Sequence, residues 1–405
     1  MTLIRSPLRG RLALPTVALL AAALSAGGCG KPVATFQANL AYLEVQRRDT
    51  GNVADATMQN IAEVVEGLFG TPDDPHLPRL ESVDCNEVLD IQLLQMAAGS
   101  VSREEVGRPH GLYREHCVHC HGISGDGMGP TAGFLNPYPR DYRAGLYKFK
   151  STPSKLPPAH DDLKRILYDG IPGTAMPSFK LLADDELAAL IEYVKYLSIR
   201  GQVERALIAE AASELDEGDL FVSAEGGEDN RDLVAEKVSS VVARWKSAND
   251  ERMAVPERPD YTDEELAESV RRGRELFHGK LAQCSKCHGE TALGDGVQND
   301  YDEWTKELKP AAEGFRETFV DNNLALAPRH AIPRNLRMNV FRGGRRPVDI
   351  YWRIKIGING SPMPAASPLL DDEKIWDIVN YVRHLPFEAA SEPPQKQPSY
   401  QRDRL

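Results

Sequence analysis

The sequence predicts an all-α protein in which one helical unit is used twice, and three observations carry that prediction. Cys117-Val118-His119-Cys120-His121 and Cys284-Ser285-Lys286-Cys287-His288 are two copies of one C-x-x-C-H pattern. The stretch from Asp162 to Pro177 aligns without gaps on that from Asp349 to Pro364, and both end in Gly, a hydroxyl residue, a small residue and Met-Pro. Beyond each copy, Leu187, Leu190, Ile191, Val194 and Leu197, and then Ile375, Ile378, Val379 and Val382, recur at the three-to-four spacing of a helix with one buried stripe. Further matches, Pro139 to Arg143 on Pro333 to Arg337 and Asp184-Asp185-Glu186 on Asp371-Asp372-Glu373, extend the unit to a domain of about 100 residues or somewhat more.

The elements follow in chain order. Arg5, Arg9 and Arg11 precede the apolar stretch Leu12 to Leu24, which is short for a membrane span and ends in Ser25-Ala26-Gly27-Gly28-Cys29. Residues 1–28 therefore read as a secretory signal. Its end resembles a bacterial lipoprotein processing site, which makes Cys29 the candidate lipidation residue; cleavage near Ala26 or an uncleaved anchor helix are the alternatives. Residues 29–100 form a helical N-terminal extension, with helical patterning from Val53 to Phe69 and a break at Thr71-Pro72-Asp73-Asp74-Pro75. The first unit spans 101–200, and an acidic connector spans 201–258. Within the connector Val234, Val238, Val241, Val242 and Trp245 make a helical stripe expected to pack on a neighbouring domain. The second unit spans 259–390, and 391–405, rich in Pro, Gln and charge, is a flexible tail.

Each C-x-x-C-H run carries the chemistry of covalent haem attachment: two thioether bonds to the cysteines, and iron bound by the adjacent histidine. The spacing has a mechanical basis, since helical positions i, i+3 and i+4 share a face and bring Cys117, Cys120 and His121, or Cys284, Cys287 and His288, to one side of a flat macrocycle. A zinc site pooling the four thiols is the rival, but it leaves both histidines and the repeated downstream segments unused. Two covalently attached haem c groups are expected.

With the downstream repeat, each unit resembles a class I cytochrome c domain: an opening helix, C-x-x-C-H, a distal methionine loop and a closing helix. The opening Gly-x-x-Leu-Phe pattern stands at Gly273, Leu276 and Phe277 in the second unit and is reduced to Gly111-Leu112-Tyr113 in the first. The resemblance implies that Met176 and Met363 are the second axial ligands. A soft thioether suits iron in an apolar pocket, and Pro177 and Pro364 hold the preceding residue extended. It also implies that a proline carbonyl shortly after the motif accepts the ligand histidine's other ring N–H. Pro130 occupies that place in the first unit, whereas Gly294-Asp295-Gly296-Val297 has no proline, so the second haem is expected to differ in potential. Met338 is a rival to Met363. Met128 lies too close to His121 to reach the opposite face, and His76, His110, His116, His119, His160, His278, His330 and His384 are expected to be solvated or locally bonded. Arg140 and Arg334 are candidates to pair with haem propionates.

Aromatic residues make up 7% of the chain, thin for two cores, and haem would supply the missing apolar plates. Removing residues 1–28, which hold three arginines and no acids, takes the formal net charge from −12 to −15. Such acidity argues against nucleic acid and favours redox protein partners with basic patches. Of six cysteines, four serve the motifs. Cys85 is then a lone buried thiol if Cys29 carries lipid, or its disulfide partner if it does not. His/Met ligation fills both axial positions, which suits electron transfer by a membrane-tethered dihaem cytochrome c of the bacterial periplasm, as a carrier or a respiratory-complex subunit. The alternatives are a dihaem peroxidase or dehydrogenase with one open haem, and an assembly or interaction subunit.

Overall fold

The computed structural model describes residues 34–51, 53–103, 109–215, 219–222, 230–297 and 300–391. The signal at 1–28, Cys29 and the tail beyond Ser391 lie outside the described residues. The architecture is all-α. Helices α1 (Leu40–Asp49), α2 (Asp55–Phe69) and α3 (Ile91–Ala97) precede the first motif; α4 (Leu112–His116) and α5 (Val118–His121) carry it. Helix α6 (His160–Asp169), the long α7 (Asp184–Ser213) and the connector helix α8 (Arg231–Ser247) follow. The second unit comprises α9 (Asp263–His278), α10 (Ser285–His288), α11 (Glu303–Glu307), α12 (Pro347–Lys355) and α13 (Asp372–His384). The sheet structure among the described residues is one antiparallel hairpin, Arg79–Leu80 against Val83–Asp84. No described helix is long and apolar enough to cross a membrane.

Local sequence explains the second unit most directly. Thr262 accepts from the Glu265 N–H while Glu265 accepts from the Thr262 N–H at 2.8 Å, a reciprocal cap that starts α9 where acids crowd its first turn. Asp371 caps α13 through the Lys374 N–H at 2.9 Å. The two helices cross at Gly273, where a β-carbon would run into the Asp377 carbonyl and stand 2.8 Å from Tyr381 Cβ. Glycine is needed there for approach. Asp377 is 3% exposed and fully paired: Ser269 Oγ donates at 2.6 Å and Arg272 donates twice at 2.8 Å. A buried carboxylate so satisfied fixes the register of the crossing instead of opposing it. The predicted stripe Ile375, Ile378, Val379 and Val382 is buried.

The first unit solves the same problem differently. Its opening helix is only one turn long, and α3 from the N-terminal extension packs on the closing helix α7 beside it. Ile61, Val65, Phe69 and Leu94 of the extension share one core with Leu112, Tyr113, Leu190 and Leu197. Because α2 and α3 cover it, α7 is buried beyond its predicted stripe, at Tyr193, Tyr196, Val203 and Leu207, and it runs to Ser213, past the boundary expected at 200. Truncating a fully buried leucine such as Leu190 to alanine costs about 2–5 kcal/mol in such a core. Inside it, Glu204 pairs with Arg200 at 3.1 Å and accepts from the Asn39 N–H at 2.8 Å, pinning the start of α1. The connector stripe Val234, Val238, Val241, Val242 and Trp245 is buried, and Trp245 Nε1 donates to Gln202 Oε1 of α7 at 2.8 Å.

The insertion of the second unit, Glu290 to Ile332, clasps the rest of the chain. Arg48 of α1 donates to the Glu307 and Leu308 carbonyls at 2.8 Å, Lys309 pairs with Asp49 at 2.7 Å, and Phe315 and Phe319 form a small core with Val45. At its other end Arg329 donates to the Leu135 and Gly133 carbonyls and lies 4.0 Å over the Tyr138 ring, on the loop after the first motif. Cys85 is buried with no disulfide among the described residues.

Candidate haem centres

Each motif folds as a single helical turn. The His121 N–H donates to the Cys117 carbonyl and the His288 N–H to the Cys284 carbonyl, both at 2.9 Å, which places the first cysteine and the histidine on one face as the spacing requires. The turns end at Gly122 and Gly289, with φ of +73° and +81°, a region that costs glycine nothing. Further along the loops, Gly129 and Gly296 press against the motif carbonyls so closely that a β-carbon on Gly129 would stand 2.5 Å from the Val118 oxygen.

The loops then return to the histidine. Asp141 Oδ1 accepts from the Arg143 N–H and Asn335 Oδ1 from the Arg337 N–H, both at 2.9 Å, a side-chain turn two residues long. This turn aims the preceding carbonyl inward. His121 Nδ1 donates to the Arg140 oxygen at 3.0 Å and His288 Nδ1 to the Arg334 oxygen at 3.1 Å. The acceptor is therefore not Pro130, and the second unit does not lack one. The tight glycine closure after each motif puts the Pro-Arg segment beside the imidazole, and both copies use the same arginine carbonyl. With Nδ1 as donor, Nε2 carries the lone pair. Burial holds both imidazoles neutral, lowering His121 to about 4 and His288 below its ordinary value.

The two histidines still differ, for another reason. His121 lies stacked on Tyr142, ring centres 4.7 Å apart and 15° from parallel, and Tyr142 stacks in turn on Tyr147. The repeat position of Tyr142 is Leu336, and among the described residues His288 has Phe277 as its aromatic neighbour, with ring centres 6.2 Å apart and planes tilted by 47°. The substitution is visible in the aligned segments Pro-Arg-Asp-Tyr-Arg and Pro-Arg-Asn-Leu-Arg.

The methionine loops share one hydrogen-bonded turn. The Ile171 N–H donates to the Met176 carbonyl and the Ile358 N–H to the Met363 carbonyl, both at 3.1 Å. Thr174 Oγ1 donates to the Ile171 oxygen at 2.8 Å and accepts from the Met176 N–H at 3.1 Å; Ser361 Oγ does the same with Ile358 at 2.7 Å and Met363 at 3.4 Å. That is why a hydroxyl residue recurs. Met176 packs on the apolar core that contains Cys117, and Met363 on the core against which Cys284 packs. The four thiols do not pool. Met338 is 59% exposed, unlike the half-buried Met363.

The surroundings fit haem. Burial pushes the Cys117 thiol up to about 12 and Cys284 to about 11, which sets both thiols in apolar surroundings of the kind a macrocycle packs against. Each site also has buried donors without a protein partner: Arg140 Nη1 and Arg342 Nε, and Trp352 Nε1 and Asn359 Nδ2 around the second methionine loop. Buried donors left unpaired cost about 1–3 kcal/mol each, and a macrocycle bearing two carboxylates supplies acceptors.

Residues 110–198 match the family described as Cytochrome c, and residues 268–382 match the family described as Cytochrome C oxidase, cbb3-type, subunit III. No curated protein matches the chain. Among solved structures, a chain of the Kuenenia stuttgartiensis reducing HAO-like protein complex is similar at 24% identity, over 68% of this chain and 94% of that one, with a TM-score of 0.47.

Proposed function

The chain is a dihaem c-type cytochrome, and from that premise we propose that it is a periplasmic electron-transfer protein, held at a membrane through Cys29 and serving as a carrier or respiratory-complex subunit. Haem c supplies a one-electron iron couple. The observation that carries the reading is the pair of methionine loops with one hydrogen-bond pattern, each half-buried against the core of its own motif.

On this reading His121 and Met176 would hold the first iron, and His288 and Met363 the second. The Arg140 and Arg334 carbonyls orient the imidazoles and hold the proton on Nδ1, leaving Nε2 for the metal. The loop turns keep the thioethers in place, and the apolar clusters exclude water. With a histidine and a methionine held for each iron, these residues would leave small ligands no place to bind, and such a centre would suit outer-sphere exchange. The mature charge of −15 steers basic redox partners. The test is exposure of the reduced holoprotein to carbon monoxide and peroxide. Electron transfer predicts neither carbon monoxide binding nor peroxide turnover; stoichiometric carbon monoxide binding at one haem, with turnover, would establish an open enzyme site instead.

A further inference from the structure

The two haem domains meet across an approximate exchange of equivalent parts. Gly173 of the first methionine loop has Arg334 of the second domain upon it, a β-carbon there standing 2.7 Å from Arg334 Nη2. Gly360, its repeat equivalent, has Trp304 upon it at 2.8 Å, and that indole carries the guanidinium of Arg140, the repeat equivalent of Arg334, at 4.0 Å. Each arginine thus stands at the other domain's methionine loop. Lys148 Nζ joins Arg140 over Trp304 at 4.9 Å, and Arg342 lies within electrostatic reach of both Lys148 and Arg334.

Four cations therefore share this boundary, two from the first domain and two from the second. Asp302 is the carboxylate that reaches Arg140, Lys148 and Arg342, and it lies 3.5 Å from Lys148. Asp141, next to Arg140, is taken by Arg143 at 2.9 Å. Arg140 Nη1 and Arg342 Nε are buried without an acceptor. Desolvation pushes Arg140, Arg342 and Lys148 down; repulsion from Arg334 adds to it at Arg342, and repulsion from Arg140 and Arg342 adds to it at Lys148, which falls to about 8. Groups crowded in this way and left with unused donors call for anionic acceptors.

We propose that Arg140, Lys148, Arg334 and Arg342 form one cationic site spanning the domain boundary that takes carboxylates of both haems, so that each domain's cations set the potential of the other's centre. The inference rests on the two-haem reading. These are positioning residues: they act through carboxylate and charge, while the Arg140 and Arg334 carbonyls keep their separate bond to histidine. Neutralising any one cation removes positive charge near both irons, favours the oxidised state and lowers both potentials.

The experiment is a spectroscopic redox titration of holoprotein carrying Lys148→Gln, Arg342→Gln or Arg140→Gln, with haem content measured on each sample. Lys148 and Arg342 are the primary variants, because neither is bonded to a ligand histidine through its own backbone. With both haems retained, each single substitution is expected to weaken both reduction equilibria about three- to tenfold, tenfold being about 59 mV for a one-electron couple. A shift confined to the substituted residue's own domain, or no shift, would overturn the shared site while leaving the two-haem reading intact. Loss of a haem in wild-type protein would overturn that reading first. Exchange of inorganic phosphate for chloride at constant ionic strength is expected to leave wild-type potentials unchanged. A phosphate-dependent shift abolished by Arg342→Gln would mean the cluster holds a free anion, and would refute the proposal.

Discussion

Replacing Thr174 by valine tests whether the first methionine loop holds an iron ligand. Valine keeps the shape of threonine and removes one hydroxyl, which donates to the Ile171 oxygen at 2.8 Å and accepts from the Met176 N–H at 3.1 Å. The Ile171 oxygen retains its bond from the Thr174 N–H, so the net loss is centred on the half-buried Met176 amide. One hydrogen bond of this kind is worth about 1–2 kcal/mol, or about a 5–30-fold shift of the loop towards its open form. An exogenous ligand that competes with the thioether gains affinity by the same factor. Imidazole titration of the oxidised protein, followed in the visible spectrum, should therefore show the first haem binding imidazole about 5–30-fold more tightly in Thr174→Val. Ser361→Ala should do this for the second haem alone. An unchanged imidazole affinity, with the variant folded and both haems present, would refute the assignment of Met176 to iron.

Three further outcomes follow from the geometry. Cys117→Ala with Cys120→Ala should leave one covalently bound haem per chain, counted by pyridine haemochrome and by mass; two would contradict independent sites. Gly273→Val should destabilise the second domain by at least about 1–3 kcal/mol, read as a lower melting temperature, because its side chain would overlap the Asp377 carbonyl at the α9–α13 crossing; an unchanged melt would show that the crossing is loose. Cys29→Ser should release the protein from membranes into the soluble fraction, while recovery of Cys29 in a disulfide with Cys85 would overturn lipidation.

What the sequence made legible is what side chains encode. The C-x-x-C-H runs, the recurring Gly, hydroxyl and Met-Pro positions and the stripes of α7 and α13 make the motif turns, the methionine-loop turns and the buried helix faces legible, because each is a local spacing rule. The histidine's partner is not legible because a backbone carbonyl has no residue signature; Arg140 and Arg334 stand out in the sequence for their guanidinium groups, yet serve the imidazole through main-chain oxygen. The Asp141 and Asn335 turns were the available signal. The role of α3 beside a one-turn opening helix, and the clasp from Arg329 and Lys309, depend on contacts more than 80 residues apart that periodicity does not encode. The difference between the two histidines was expected from a missing proline and resides in Tyr142 against Leu336.

The most direct test of two His/Met centres is a redox titration of the purified holoprotein beside Met176→His and Met363→His. A thioether stabilises ferrous iron more than imidazole does, so each substitution should lower one wave and leave the other near its wild-type position. Two one-electron waves that respond one apiece are the predicted result. A wild-type titration with a single haem, or a Met363→His protein in which neither wave moves, would contradict the account.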